Sequence, residues 1–429
     1  MSISMSSSEK FEGIISGCEV DATSASEPLG QANFDLTDIW SREMLPDLKK
    51  SSVNQQEPFR KREAKKMVAI YSIGSNGSGQ LGIGHKEDVS VPKPALFADG
   101  YPDQVTAVKA GGNHTLMLSS GRLYVAGDAT SGACGLVSDH NTSNHLFWQL
   151  RPDNEDASLT KHVTIRLFAA SWEASFMVQQ DENGRATKVY SFGTGNKGEL
   201  GVGELLFRSS QAQLIKAFPP SDLEVVDLAA SVHHVVAVLS NGEVYGWGSG
   251  RKGQLGEPDG MVYSPRKICG IDFKVTRAVC GREFTYLLGE PVDGKHIILG
   301  SDKWNVRSSA PLAVPGWKDV GTSWGSVFVL QKDGKLLSWG RDDHGQLAPS
   351  GLPDLSQIAV GSEHVVCLTS EGDVVAWGWG EHGNCGPGTV NGDIRGRWNT
   401  IASAKYLPPT SKILAIGAGC ATSWIFVGD

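Results

Sequence analysis

The sequence predicts an all-β protein, a seven-bladed β-propeller preceded by a mostly disordered N-terminal extension. Three observations lead to this fold class. Glycine is abundant, at 52 of 429 residues, or about 12% against a usual share of roughly 7%. A short apolar segment ending in glycine, with an aromatic residue directly before the glycine in four copies, recurs seven times, and a second recurring segment lies between its copies. Repetition of this kind predicts an array or ring of similar units.

The first recurring segment is an apolar run that ends in glycine and continues into a polar turn and Gly-Gln-Leu-Gly. Tyr71 to Gly82 and Tyr245 to Gly256 are clear copies. The second copy lacks Gln-Leu-Gly, and the fifth lacks the whole second half. The glycine that ends the run is, in chain order, Gly74, Gly127, Gly193, Gly248, Gly300, Gly340 and Gly378.

The second recurring segment joins two alternating apolar runs through a small residue, two variable positions and often a histidine. His114, His234 and His364 stand at the histidine position. Alternation followed by turns such as Asn241-Gly242 and Asp333-Gly334 is typical of β-hairpins. Each unit is therefore expected to form about four short antiparallel strands, which is the content of a propeller blade.

The chain is expected to have two parts. Residues 67–429 form the propeller, closed by pairing of the first strand, Val68–Ile73, with the C-terminal hairpin, because closure removes exposed sheet edges. Residues 1–66 form a disordered or weakly helical polar extension, and its basic cluster at Arg60 to Lys66 is interpreted as solvated surface rather than a nuclear signal. The longest insertion, Leu136–Lys161, is either a loop that grips a partner or a disordered segment.

Composition excludes several classes of protein. The chain has 39 basic and 47 acidic side chains, a net charge of −8, so broad nucleic-acid binding is not expected. The sequence has neither a secretion signal nor an apolar run long enough to span a bilayer. Its seven cysteines include no Cys-x-x-Cys pair, which argues against a disulfide framework or a zinc ribbon. These features predict a cytoplasmic protein with buried thiols, with the nucleus as a second location.

No residue pattern predicts catalysis, a cofactor or a metal. Glycine-rich loops such as Gly193 to Gly198 resemble phosphate-binding loops, but they recur inside β units, where glycine more plainly supplies positive φ. The three repeat histidines are expected to bond backbone groups inside their own blades. Neither a nucleophile elbow nor a His-Glu-x-x-His zinc motif occurs.

The alternating copies of these two segments resemble the regulator-of-chromosome-condensation repeat family, which forms seven-bladed propellers. The resemblance covers residues 67–429. Within the first blade, Gly74 to Asp88, Pro92 and Gly111 to His114 also resemble the fungal alpha-tubulin-suppressor proteins. That second resemblance implies an accessory role in diphthamide synthesis on elongation factor two and in Elongator-dependent tRNA wobble-uridine modification, through binding of a small CSL-type zinc protein.

The two variable positions before the repeat histidine are the predicted binding site. In plant photoreceptor relatives of this family, the same positions resemble a binding face, and aromatic and arginine side chains are enriched at binding hot spots. The alternative is that the tryptophans pack inward as spacers. The candidate partner-binding residues are Asn113, Trp172, Glu173, His233, Arg282, Glu283, Trp324 and Glu363.

Two main functions follow from the resemblance. The first is a non-enzymatic adaptor that binds the CSL-type zinc protein, with Elongator components as further partners. The second is a guanine-nucleotide exchange factor for a Ran-like small GTPase. A third function, light sensing by clustered tryptophans, is disfavoured because only two of the variable positions carry tryptophan. No membrane and no direct nucleic-acid partner is expected.

Overall fold

The computed structural model describes residues 68–102, 105–135, 144–150 and 164–429. Within these residues the chain forms seven antiparallel sheets, and the innermost strand of each sheet contacts the innermost strand of the next all the way around a ring. The predicted seven-bladed β-propeller is therefore confirmed. The predicted extension, residues 1–66, and most of the insertion Leu136–Lys161 lie outside the described residues.

Five blades have four strands each. From the channel outward, blade 1 consists of β25 (Lys412–Ala418), β26 (Thr422–Gly428), β1 (Val68–Gly74) and β2 (Val89–Pro94). In the same order, blade 2 consists of β3 (Val105–Ala110), β4 (His114–Ser119), β5 (Arg122–Gly127) and β6 (Trp148–Gln149). Blade 3 consists of β7 (Ile165–Ala170), β8 (Ala174–Gln180), β9 (Ala186–Thr194) and β10 (Arg208–Leu214). Blade 4 consists of β11 (Val225–Ser231), β12 (His234–Leu239), β13 (Val244–Ser249) and β14 (Met261–Ile268). Blade 7 consists of β21 (Leu355–Val360), β22 (His364–Thr369), β23 (Asp373–Trp379) and β24 (Asp393–Ser403).

Blades 5 and 6 have three strands, so the expectation of about four strands in every unit is wrong for them. Blade 5 consists of β15 (Arg277–Cys280), β16 (Phe284–Leu288) and β17 (His296–Gly300). Blade 6 consists of β18 (Trp317–Thr322), β19 (Ser326–Gln331) and β20 (Leu336–Gly340). The segments after β17 and β20 each contain two prolines, which lack the N–H that a ladder requires. Short 3-10 turns lie at Lys303–Asn305 and Ala404–Tyr406.

The ring closes within blade 1. Strand β1 pairs antiparallel with β26, from Val68 opposite Gly428 to Gly74 opposite Thr422. The first and last described strands therefore share one sheet, and neither leaves an unpaired edge at the junction. Among the described residues, no helix is long and apolar enough to cross a membrane.

The seven glycines of the first repeat perform one structural task. Each is the last or last but one residue of the third strand of its blade, with φ between +99° and +118°. At Gly248, a Cβ atom would stand 2.4 Å from the carbonyl oxygen of His233, and the amide of Ser249 donates to that same oxygen at 2.7 Å. The same close approach recurs in the other blades, at the carbonyls of Ala421, Asn113, Glu173, Glu283, Gly325 and Glu363. The prediction that glycine supplies positive φ is confirmed, and the reason is this contact.

Replacing Gly248 by alanine is expected to lower the free energy of unfolding by about 1–3 kcal/mol from backbone strain alone, with the collision adding to it. Urea unfolding measures the loss. Gly270→Ala is the matched control, because Gly270 also has positive φ, at +82°, but nothing lies within 4 Å of a Cβ placed there. Equal losses in the two variants would contradict the carbonyl contact as the cause.

The three repeat histidines join neighbouring blades. The Nε2 atoms of His114, His234 and His364 lie 3.0, 3.0 and 2.9 Å from hydroxyl oxygens on the second strand of the next blade. Those hydroxyls belong to Ser175, Thr285 and Ser423, and each donates to a backbone carbonyl of the histidine's own blade. The expectation that each histidine forms a hydrogen bond with backbone groups of its own blade is wrong. The Nε2 atom of each ring is bonded instead to a buried hydroxyl of the next blade.

Buried tryptophans make a second set of contacts between blades. The indole N–H groups of Trp247, Trp339 and Trp377 donate to the backbone carbonyls of Glu199, Val306 and Gln346, each in the preceding blade. Their rings are buried between the sheets. A buried indole N–H requires a partner, so these bonds set the position of one blade against the next.

Candidate functional site

The candidate residues lie around one mouth of the central channel. We define the rim as the two residues that directly precede the second strand of each blade, in the turn from the first strand: 112–113, 172–173, 232–233, 282–283, 324–325, 362–363 and 420–421. Because successive strands are antiparallel, these turns lie on the same side as the loops between the third and fourth strands. The structure thus places all eight predicted partner-binding residues on one face.

Three of the predicted residues form a cluster at the rim. The ring centroids of Trp172 and Trp324 are 5.8 Å apart, with an angle of 50° between the planes. The guanidinium carbon of Arg282 lies 5.2 Å from the centroid of Trp324. Both tryptophans are half-buried and Arg282 is exposed. The two indoles thus pack against each other across the channel mouth, and each retains an accessible surface.

Backbone hydrogen bonds hold the rim turns to one another. The Trp172 carbonyl accepts from Gly112 at 2.9 Å, and its amide donates to Val232 at 3.2 Å. On the other side, the Trp324 carbonyl accepts from Arg282 at 3.0 Å and its amide donates to Ser362 at 2.8 Å. Each tryptophan therefore joins three consecutive blades through its main chain, which fixes the position of its side chain on the rim.

The remaining predicted residues are in different environments. Asn113 and Glu173 are exposed, and Glu283 is half-buried. His233 is half-buried, and its Nδ1 lies 2.9 Å from the Glu199 carboxylate of blade 3. These four add polar groups to the rim, among them the carboxylates of Glu173 and Glu283.

Glu363 differs from the others because it is buried. It forms an ion pair with Arg341 and accepts a hydrogen bond of 2.8 Å from the Gln346 side chain. Burial raises the pKa of Glu363, and Gln346 and Arg341 act in the opposite direction. The side chain of Glu363 thus joins the rim turn of blade 7 to the loop that follows β20 in blade 6.

A second aromatic group on this face was missed by the sequence reasoning. Trp304, in the loop that follows β17, is 42% exposed and has φ +66°. The Arg341 guanidinium carbon lies 5.1 Å from the centroid of its ring, and Lys303 Nζ lies 5.3 Å from it. A sequence signal existed, since Trp304 stands where the fifth copy of the first repeat loses its second half. Left-handed φ at a bulky residue is uncommon, and strained residues of this kind cluster at functional sites.

Exposed apolar side chains lie on the same face. Leu205 and Phe207, in the loop before β10, are 97% and 59% exposed. Large exposed apolar groups on a folded protein indicate contact surfaces when they cluster. Together with the rim they provide the mixture of aromatic, arginine and aliphatic groups that protein partners bind.

Beneath the rim, the inner strands of all seven blades enclose a cavity of about 320 Å³. Its wall consists mainly of small residues and also includes Trp172, Trp324, Lys109, Arg277 and Asp319. Within the described ranges, no group of three histidine, cysteine or carboxylate side chains is placed to hold a metal ion.

Comparison with known proteins gives the following similarities. The family model of the RCC1-like domain matches residues 69–425. An RCC1 repeat-containing protein of Schizosaccharomyces pombe is 33% identical over 297 residues, which cover 66% of this chain and 80% of that protein. The secretion-regulating guanine nucleotide exchange factor of Mus musculus is 27% identical over 303 residues, covering 65% of this chain and 61% of the mouse protein.

A solved structure shares the fold. Prp20p of Saccharomyces cerevisiae superimposes with a TM-score of 0.68 at 20% identity, over 84% of this chain and 91% of that chain. At this level of identity the likeness concerns the arrangement of the blades alone.

Proposed function

Because the chain belongs to the RCC1-like domain family, we propose that it is a non-enzymatic adaptor that holds a small partner protein on its rim. One observation carries the proposal. Trp172 and Trp324 pack together at 5.8 Å with Arg282 stacked on the second ring, and all three keep exposed surface at the channel mouth. Aromatic and arginine side chains in such clusters dominate the binding energy of interfaces.

The proposed partner is a small CSL-type zinc protein, and the proposed role is support of diphthamide synthesis on elongation factor two and of Elongator-dependent tRNA wobble-uridine modification. This finer assignment is supported by the first-blade sequence from Gly74 to His114, which resembles the alpha-tubulin-suppressor proteins. Elongator components are further partners in this proposal, and the cytoplasm, together with the nucleus, is the proposed location.

The adaptor proposal is tested by direct binding. Calorimetric titration of a purified CSL-type zinc protein into the full chain is expected to show a saturable complex of one partner per propeller. The same titration with the zinc removed from the partner separates recognition of the folded zinc protein from recognition of its chain. Absence of saturable binding by the zinc-loaded protein would contradict the finer assignment.

The alternative function is guanine-nucleotide exchange on a Ran-like small GTPase. It is supported by the similarity to the mouse exchange factor, which extends over 61% of that protein. If the chain is an adaptor only, adding it to a Ran-like GTPase loaded with fluorescent GDP leaves the rate of GDP release unchanged. Accelerated release, lost in a variant with Trp172 and Trp324 both replaced by alanine, would favour exchange instead.

A further inference from the structure

The central channel contains charged side chains that the rim does not use. Lys109 reaches into it from β3, Arg277 from β15 and Asp319 from β18, while the remaining wall is mostly alanine, glycine, valine and hydroxyl residues. The cavity, at about 320 Å³, lies at the lower end of the roughly 300–1,000 Å³ typical of small-molecule sites. Its size therefore suits a small molecule.

One pair among these charges is complete. Asp227, buried behind the wall, accepts from Arg277 Nη1 at 2.9 Å and from the Ala278 amide at 2.8 Å. A buried carboxylate with two such donors is satisfied. Arg277 and Asp227 therefore neutralise each other and form a fixed part of the channel wall.

The other two charges lack such partners. Among the residues that the structure describes, the side chain of Lys109 makes no hydrogen bond and no ion pair. Asp319 accepts from the adjacent Val320 amide at 2.8 Å, and its separation from Arg277 is 3.9 Å with the carboxylate 44% exposed. The channel thus presents one unpartnered cation and one weakly partnered anion, on strands from nearly opposite sides of the ring.

The surroundings of Lys109 agree with this interpretation. Solvent in the channel reaches its side chain, and the inner strands of the seven blades surround the channel. This enclosure lowers the pKa of Lys109, the charge of Arg277 lowers it further, and Asp227 and Asp319 act in the opposite direction. An anionic group bound beside the ammonium would offset this unfavourable environment.

We propose that the central channel is a binding site for a small zwitterion, an amino acid in chemical class, with its carboxylate on Lys109 and its ammonium on Asp319. A zwitterion satisfies both unpartnered charges and leaves the net charge of the channel unchanged. Toward the rim, the Ser362 hydroxyl is buried and, apart from a weak contact with the Cys420 thiol, has no hydrogen-bond partner among the described residues. The site goes beyond the adaptor function and does not depend on it.

Calorimetric titration of the full chain with three matched probes tests the site. L-leucine carries both charged groups, isocaproate lacks the ammonium, and isoamylamine lacks the carboxylate. Leucine is expected to bind with a dissociation constant of about 1 mM or below. Each analogue is expected to bind at least roughly tenfold more weakly, because each loses a hydrogen bond to a charged group.

Variants assign the two ends of the ligand. Lys109→Met is expected to weaken the binding of leucine and isocaproate roughly tenfold and to leave that of isoamylamine unchanged. Asp319→Asn is expected to weaken the binding of leucine and isoamylamine roughly tenfold and to leave that of isocaproate unchanged. Lys188→Met is the control, because Lys188 is an exposed residue of β9 outside the channel wall. Thermal unfolding midpoints verify that each variant is folded. Three results would overturn the proposal: no saturable leucine binding up to about 10 mM, unchanged leucine affinity in both channel variants, or equal affinity for leucine and isocaproate.

Discussion

Replacing Trp172 and Trp324 together by alanine is expected to weaken partner binding by at least roughly a hundredfold while the propeller stays folded. Central aromatic residues of an interface each cost about 2–4 kcal/mol on truncation. The two rings are in contact at 5.8 Å, so their individual losses are not expected to add. If the wild-type complex has a micromolar dissociation constant, the double variant is expected to bind too weakly for most calorimetric titrations.

The measurement is the dissociation constant for the CSL-type zinc protein, or for whichever partner binds the wild-type chain. Trp398→Ala is the matched control, because Trp398 is also half-buried but lies on β24, the outermost strand of blade 7. The main-chain bonds of Trp172 and Trp324 survive truncation of their side chains, so circular dichroism and the unfolding midpoint should stay near wild type. Wild-type affinity in the double variant would show that the tryptophans are spacers, as the alternative interpretation of the sequence holds.

Mild acid is expected to destabilise the propeller strongly through its three bridging histidines. Burial lowers the pKa of His114 and His364 to about 4, and burial together with the neighbouring His233 lowers that of His234 to about 3. The unfolded chain takes up these protons near pH 6.5. Stability is therefore complete above pH 6.5 and is lost as pH falls toward 4 and 3, at about 1.4 kcal/mol per histidine and pH unit.

Between pH 7 and pH 5 this amounts to roughly 2 kcal/mol for each histidine and roughly 6 kcal/mol for the three. Urea unfolding at the two pH values measures the difference. In His364→Asn, the pH-dependent loss should be smaller by roughly 2 kcal/mol, whatever the variant's stability at pH 7. His85→Asn, at an exposed position of blade 1, should leave the loss unchanged. A wild-type chain equally stable at both pH values would contradict buried neutral histidines.

The fold was largely predictable from the sequence because repetition supplies the same signal seven times. Gly248 and its six equivalents were identified by the recurring segment that each of them ends, and the structure shows why each must be glycine. The missing strands were harder to predict, since the loops after Gly300 and Gly340 resemble ordinary insertions until their prolines are weighed as ladder breakers.

The histidine bridges were also visible in the sequence, but only when neighbouring repeats are compared in pairs. Hydroxyl residues follow the histidine position in the blades next to His114, His234 and His364. Where the preceding blade has no histidine, valine occupies that position in three blades, as Val235, Val327 and Val365. Examining each repeat separately conceals this pairing, because the bond crosses from one blade to the next.

The site was only partly predictable. The sequence placed the two tryptophans on a common face, but their separation in the chain carries no information on whether the rings touch. It also grouped Glu363 with exposed residues, although the ion pair with Arg341 buries it. The contact between the two rings and the burial of Glu363 both depend on the directions of side chains in loops. The alternation of apolar and polar residues along a strand does not determine these directions.

The rim carbonyls fixed by the seven repeat glycines have a consequence for how such a protein diversifies. The rim turns are held by hydrogen bonds to their main-chain carbonyls. Most rim side chains can therefore change without altering the path of the backbone. Gly112 and Gly325 are exceptions, since a Cβ there would lie 2.8 and 2.9 Å from a neighbouring atom. Glu363, buried in its ion pair with Arg341, and Ala421, buried with φ +53°, are exceptions too. Binding specificity at the rim can therefore change while the propeller backbone stays the same. A library randomised only at its remaining positions should yield folded propellers with new partner preferences.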